Sequence, residues 1–188
     1  MRTRAARHLI RLTWLPVLAG LATALGCGQG RAIFNVDVLS FIGGEGRDTV
    51  HYVIPGGASG VVDNPPVAVT LLQGLGNSTV DSVTLTVAAA VENQAGSGQV
   101  KFQIFFSGSS AGLYSTTPYA QDSATVSGAD TALLAPAPIP LVADSIFSES
   151  KIYVGVRALV DADPGPAMDG RLRMATVRLR IVLQDKVF

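Results

Sequence analysis

An all-β chain, folded as an antiparallel sandwich of about eight or nine strands in a jelly-roll or immunoglobulin-like arrangement, is what three features of the sequence predict. Apolar residues recur with a period of two in several well-separated runs. No stretch carries a sustained 3.6-residue period, so neither helix bundles nor parallel βαβ units are expected. The runs are separated by clusters of Gly, Pro, Asn and Asp, the residues that turns require.

Ala32 to Phe41 opens the series, and Thr49 to Ile54 and Val67 to Leu72 follow as short strands. Val83, Leu85, Val87, Ala89 and Val91 then alternate with Thr84, Thr86, Ala88 and Ala90, the pattern of a strand with one face on a core. Val100, Phe102, Ile104 and Phe106 repeat it, with Lys101 and Gln103 on the other face. The intervening Glu92-Asn93-Gln94-Ala95-Gly96-Ser97-Gly98 reads as a hairpin connection. Ser107 to Ala132 is rich in Ser, Thr, Gly and Ala, and reads as a long loop or a loosely paired stretch of surface. Short strands are expected at Thr125 to Ser127, Leu133 to Leu134 and Ile139 to Val142. Pro136, Pro138 and Pro140 confine the last to an edge or a bulge. Ile152, Val154, Val156, Ala158 and Val160 mark the next clear strand, and Arg171 to Gln184 the final one. There the apolar parity changes, from Leu172 and Met174 to Val177, Leu179, Ile181 and Leu183. A β-bulge near Ala175 would return both sets to one face.

The segment before these strands has a different construction. Arg2, Arg4, Arg7 and Arg11 are basic, Leu12 to Gly26 runs 15 residues without a charge, and the stretch closes as Ala24-Leu25-Gly26-Cys27. Basic, apolar, small residue, break: this is the order of a secretory signal peptide. The apolar run is shorter than the roughly 20 residues of a membrane-spanning helix, and Pro16 interrupts it. With the chain's one cysteine at the break, the segment resembles the signal peptide and lipobox of bacterial lipoproteins. The resemblance covers this segment alone. It implies cleavage before Cys27, lipid on that cysteine, and a place in the bacterial cell envelope, at the outer membrane given Gly28 rather than Asp in the next position. Ordinary cleavage near Ala24 or Gly26 is the alternative. The organisation is then a signal peptide (1–26), a lipidated cysteine and short tether (27–31) and one sandwich domain (32–188).

Processing alters the composition that matters. Ten Lys and Arg then face fourteen Asp and Glu, for a net charge of −4, which argues against nucleic acid as a partner. Without a second cysteine no disulfide within the chain is expected, so the core alone must hold the fold.

Candidate chemistry is sparse, and no cofactor is expected. His51, in Thr49-Val50-His51-Tyr52-Val53, is the one histidine left after cleavage and lies in strand context. Gly108-Ser109-Ser110-Ala111-Gly112 matches the spacing of a nucleophile elbow at Ser110. The elbow needs a helix behind it, and Leu113 to Pro118 offers none. Asp161, Asp163 and Asp169 fall close together in the hairpin loop expected between the last two clear strands and are candidates for calcium. Asp beside Pro and Gly is also ordinary turn chemistry, and this is the preferred reading. Arg171, Arg173, Arg178 and Arg180 should all leave the non-core face of the last strand. They form either a solvated face paired with acids or a surface for an anionic ligand or a protein partner. Tyr114 and Tyr119 are the only large rings of the long loop and further binding candidates.

The function expected from this is a lipid-anchored, non-enzymatic envelope protein whose sandwich binds or assembles with other envelope components. The membrane would be its first partner, through Cys27, and an envelope protein its second. The alternative is a carbohydrate- or small-ligand-binding sandwich, which the absence of Trp beyond Trp14 weakens. An envelope hydrolase is the third reading.

Overall fold

The computed structural model describes residues 31–71, 78–141 and 145–185. Cys27, the segment before it, Leu72 and Val142 lie outside the described residues. Among the described residues there are eleven strand segments: β1 (Arg31–Asp37), β2 (Thr49–Ile54), β3 (Ser59–Asp63), β4 (Val67–Thr70), β5 (Ser78–Ala95), β6 (Ser97–Ser107), β7 (Ala120–Ser127), β8 (Asp130–Leu134), β9 (Ile139–Leu141), β10 (Lys151–Ala162) and β11 (Met168–Asp185). One helix, α1 (Val38–Gly44), and 3₁₀ turns at Leu113–Ser115 and Ser145–Ser148 complete the set.

The strands form two antiparallel sheets packed face to face. In the first, β11 lies between β5 and an edge shared by β1 and β2, while β8 and β9 share the far edge of β5. In the second, β10 lies between β6 and an edge shared by β3 and β4, and β7 closes the far side. The segments therefore fill eight strand positions, four in each sheet. The chain crosses between sheets from β2 to β3, β4 to β5, β5 to β6, β7 to β8, β9 to β10 and β10 to β11. This is the two-sheet winding of a jelly roll. The predicted sandwich is what the chain forms.

Alternation along the inner strands produces the core. Val83, Leu85, Val87, Ala89 and Val91 of β5 face Val100, Phe102, Ile104 and Phe106 of β6, and all are buried. Ile152, Val154, Val156, Ala158 and Val160 of β10 join them, as do Leu172, Met174, Val177, Leu179, Ile181 and Leu183 of β11. Each large side chain contributes roughly 1.5–3 kcal/mol by burial. The pairing of β11 with β5 shifts between Met174 and Thr176, so Ala175 is the bulge that brings both parities to the core.

Four details depart from the sequence reading. The connection at 92–98 is not a hairpin. β5 pairs with β11 and β6 with β10, so this segment turns the chain from one sheet into the other. Gly96 makes that corner at φ 73°, where a Cβ would stand 2.6 Å from the Ala167 carbonyl oxygen, so only glycine fits. The loop from Asp161 to Gly170 is a second such corner, because β10 and β11 belong to different sheets. The run from Ala32 breaks at Val38 into α1, whose Val38 and Ile42, one turn apart, are both buried. This helix packs on β11 and β4, where the pairing of β11 passes from Asp37 of β1 to Thr49 of β2. Seven residues are too few to show a helical period in sequence. Finally, Ser107 to Ala132 contains β7 and the start of β8, and β3 lies where turn residues alone were read.

Asn93 is a buried polar residue among the described residues, and it joins the corners at one end. Its Nδ2 donates to the carbonyls of Ala95, Gly96 and Gly128 at 3.0, 3.1 and 2.7 Å. Its Oδ1 accepts the Tyr52 hydroxyl at 3.2 Å. Burial, and then the Asp169 charge, push the Tyr52 phenol up to about 12. The opposite end holds Arg31, where β1 starts, and the connection from Ser107 to Ala120.

Candidate binding face

The outer face of the first sheet carries the four arginines. Because of the bulge at Ala175, Arg171, Arg173, Arg178 and Arg180 all leave β11 on the side away from the core. The structure divides them into two pairs. Glu92, opposite Arg171 on β5, accepts its Nε at 2.7 Å and its Nη2 at 2.5 Å, and lies 3.7 Å from Arg173. Arg178 and Arg180 make no ion pair among the described residues. Arg178 lies between Asp37 of β1 and Thr86 of β5, and Arg180 between Asn35 and Thr84. Asn35, Asp37, Thr86, Arg178 and Arg180 line a shallow groove of about 390 Å³, with Val36 and Leu179 along its floor.

Tyr114 and Tyr119 have different surroundings. Tyr114 follows the turn at Gly112 and closes over the outer face of the second sheet. Its hydroxyl donates to the carbonyl of Asn64 and, at 3.3 Å, to that of Val156. Burial, reinforced by the Asp63 charge, raises this phenol to about 12. The ring meets Phe105 edge-on, with centroids 5.2 Å apart, and the Arg157 guanidinium lies 4.9 Å from it. Arg157 is in turn held by Asp63 through two bonds, 2.6 and 2.9 Å. Gly155 leaves room for the ring, since a Cβ there would stand 2.5 Å from the Tyr114 hydroxyl. Tyr119 stacks edge-on with Phe106 and Phe147 at 5.4 and 5.9 Å. Thr116, Thr117, Pro118, Tyr119 and Ile146 line a second recess of about 350 Å³ at that end.

Asp161, Asp163 and Asp169 are close in sequence, but the corner separates them. Asp161 ends β10 in the second sheet and accepts the Ser59 hydroxyl at 2.7 Å, whereas Asp169 stands on β11 in the first sheet, opposite Val53. Among the described residues no group of three or more His, Cys, Asp or Glu side chains is placed to hold a metal ion. His51 is exposed on β2, opposite Arg171. Ser110 is exposed in the connection after β6, at the other end of the sandwich and with only the 3₁₀ turn Leu113–Ser115 behind it. The two are not brought together.

The cover over Phe105 is a feature the sequence reading missed. Phe105 interrupts the polar parity of Lys101 and Gln103, and a large ring on an outer face signals that something packs over it.

No family model matches this chain, and no curated protein does. Among solved structures, it is similar to a chain of the infectious bursal disease virus Gx strain structure, at 10% identity and a TM-score of 0.33. That match covers 86% of this chain, which spans 39% of the viral chain's length. It is also similar to TmCBM61, solved in complex with beta-1,4-galactotriose, at 13% identity and a TM-score of 0.30 over 80% of this chain and 86% of that one. Neither likeness says what this chain binds.

Proposed function

We propose that the chain is the precursor of a lipid-anchored, non-enzymatic protein of the bacterial cell envelope, whose β-sandwich binds or assembles with other envelope components. One observation carries the anchor: a basic stretch, 15 uncharged residues and a small residue lead directly into the lone Cys27. β1 begins four residues later, at Arg31, so the tether is short and the sandwich sits close to the bilayer. Each buried acyl methylene contributes about 0.8 kcal/mol, and one chain alone holds a protein only reversibly. The diacylglyceryl group that the lipoprotein resemblance implies would make the attachment durable. The outer membrane is the proposed site, on Gly28 after the cysteine. The outer face of the first sheet supports the binding role, because Arg178 and Arg180 stand there without an ion pair among the described residues, beside a groove they share with Asn35, Asp37 and Thr86.

The test is labelling with a radioactive fatty acid in the native host, followed by fractionation. Wild-type protein should take up label and stay with membranes in high salt. Cys27→Ser should take up none and remain uncleaved or become soluble. Unlabelled wild-type protein that washes off in salt would reduce the proposal to secretion alone.

A further inference from the structure

We propose that the groove between β1, β11 and β5 binds a carboxylated saccharide. Its carboxylate would lie on Arg178 and Arg180, and its hydroxyls on Asn35, Asp37 and Thr86. Three features of the groove lead there. First, Arg171 and Arg173 share Glu92, whereas the pair two strand steps further on has no ion pair among the described residues. Two arginines two residues apart on one strand face, with Cα atoms about 7 Å apart, offer planar, paired donors that suit a carboxylate. Second, the lining is mixed. Asp37 disfavours a bare polyanion, but it accepts hydrogen bonds from hydroxyl groups, and the Asn35 amide and Thr86 hydroxyl can serve the same ligand. A uronic acid supplies both kinds of group on one ring. Third, the groove has no apolar anchor of the kind an acidic peptide would use. Of its apolar lining residues, Leu179 is buried in the core and Val36 is partly buried against it.

This names a ligand class for the binding role proposed above and rests on that reading for its cellular setting only. The experiment is calorimetric titration of the full chain, purified in detergent from its native host, with oligogalacturonate. Its methyl ester, uncharged and otherwise alike, and polyglutamate are the comparison probes. The expected result is saturable binding to oligogalacturonate that weakens as salt is raised. It should fall at least roughly tenfold on esterification and in Arg180→Gln, the loss of a charged hydrogen bond. Arg171→Gln, which acts on the pair bound to Glu92, should leave it unchanged. Arg180→Lys keeps the charge but loses the paired donors, and should bind with intermediate strength at an unaltered melting temperature. No binding, equal binding to polyglutamate, or undiminished binding by Arg180→Gln would each overturn the assignment. Cys27→Ser should leave the titration unchanged, so failure of the anchor and failure of the groove are told apart.

Discussion

Tyr114 is the residue that ties the connection after β6 to the sandwich. Its hydroxyl serves two carbonyls, that of Asn64 just after β3 and that of Val156 on β10, and its ring packs against Phe105 and Arg157. Removing the hydroxyl alone, as Tyr114→Phe, should cost about 0.5–1.5 kcal/mol, measured by denaturant unfolding. The titration of this phenol gives a second readout. Its folded value, about 12, stands above the ordinary 10, and Tyr52 behaves alike. A group held protonated by folding contributes stability that is complete below pH 10 and is lost as the pH rises toward 12. Stability should therefore fall across that window, and less steeply in Tyr114→Phe. An unchanged slope would mean the hydroxyl is not protected by the fold. The cover was legible only in outline. Phe105 signals that something lies over it, but Tyr114 stands nine residues away in a stretch without period, and nothing local ties the two together.

At the scale of the element, β11 shows why some strands can be read from sequence and others cannot. Its apolar residues alternate for a dozen positions because one face lies on the core throughout, and the parity change at Ala175 is the bulge itself. β5, β6 and β10 are inner strands with the same character. Three of the four edge positions are divided among short segments, β1 with β2, β3 with β4 and β8 with β9, and their half-buried residues leave a fainter pattern. The arginine face was legible for the same reason as β11, but its division into a pair bound to Glu92 and a pair that makes no ion pair among the described residues depends on cross-strand register, which the sequence does not contain. Leu179 and Arg178 are neighbours on opposite faces. Leu179→Ala should cost about 2–5 kcal/mol, whereas Arg178→Ala should stay within about 0.5 kcal/mol, by thermal or denaturant unfolding. Equal losses would contradict the assignment of faces.

The whole molecule was legible as a class and not as a winding. Period-two runs separated by turn residues announce paired sheets, and that much follows from local pattern. Whether consecutive strands pair or cross is decided by partners far away in the chain, such as β1 with β11. For that reason the corners at Gly96 and after Ala162 looked like hairpins. The same corners gather the tight turns at one end and leave Arg31 at the other, so an anchor at Cys27 would place the Arg31 end next to the bilayer. On this arrangement the groove on the first sheet lies along the side of the sandwich, open to the surrounding envelope. The intact mass of the protein extracted from native-host membranes decides whether Cys27 carries lipid. The expected species begins at Cys27 and is heavier than residues 27–188 by a diacylglyceryl group, with or without one further acyl chain. A mass equal to that of an unmodified chain, or a mature protein that begins elsewhere, would contradict it.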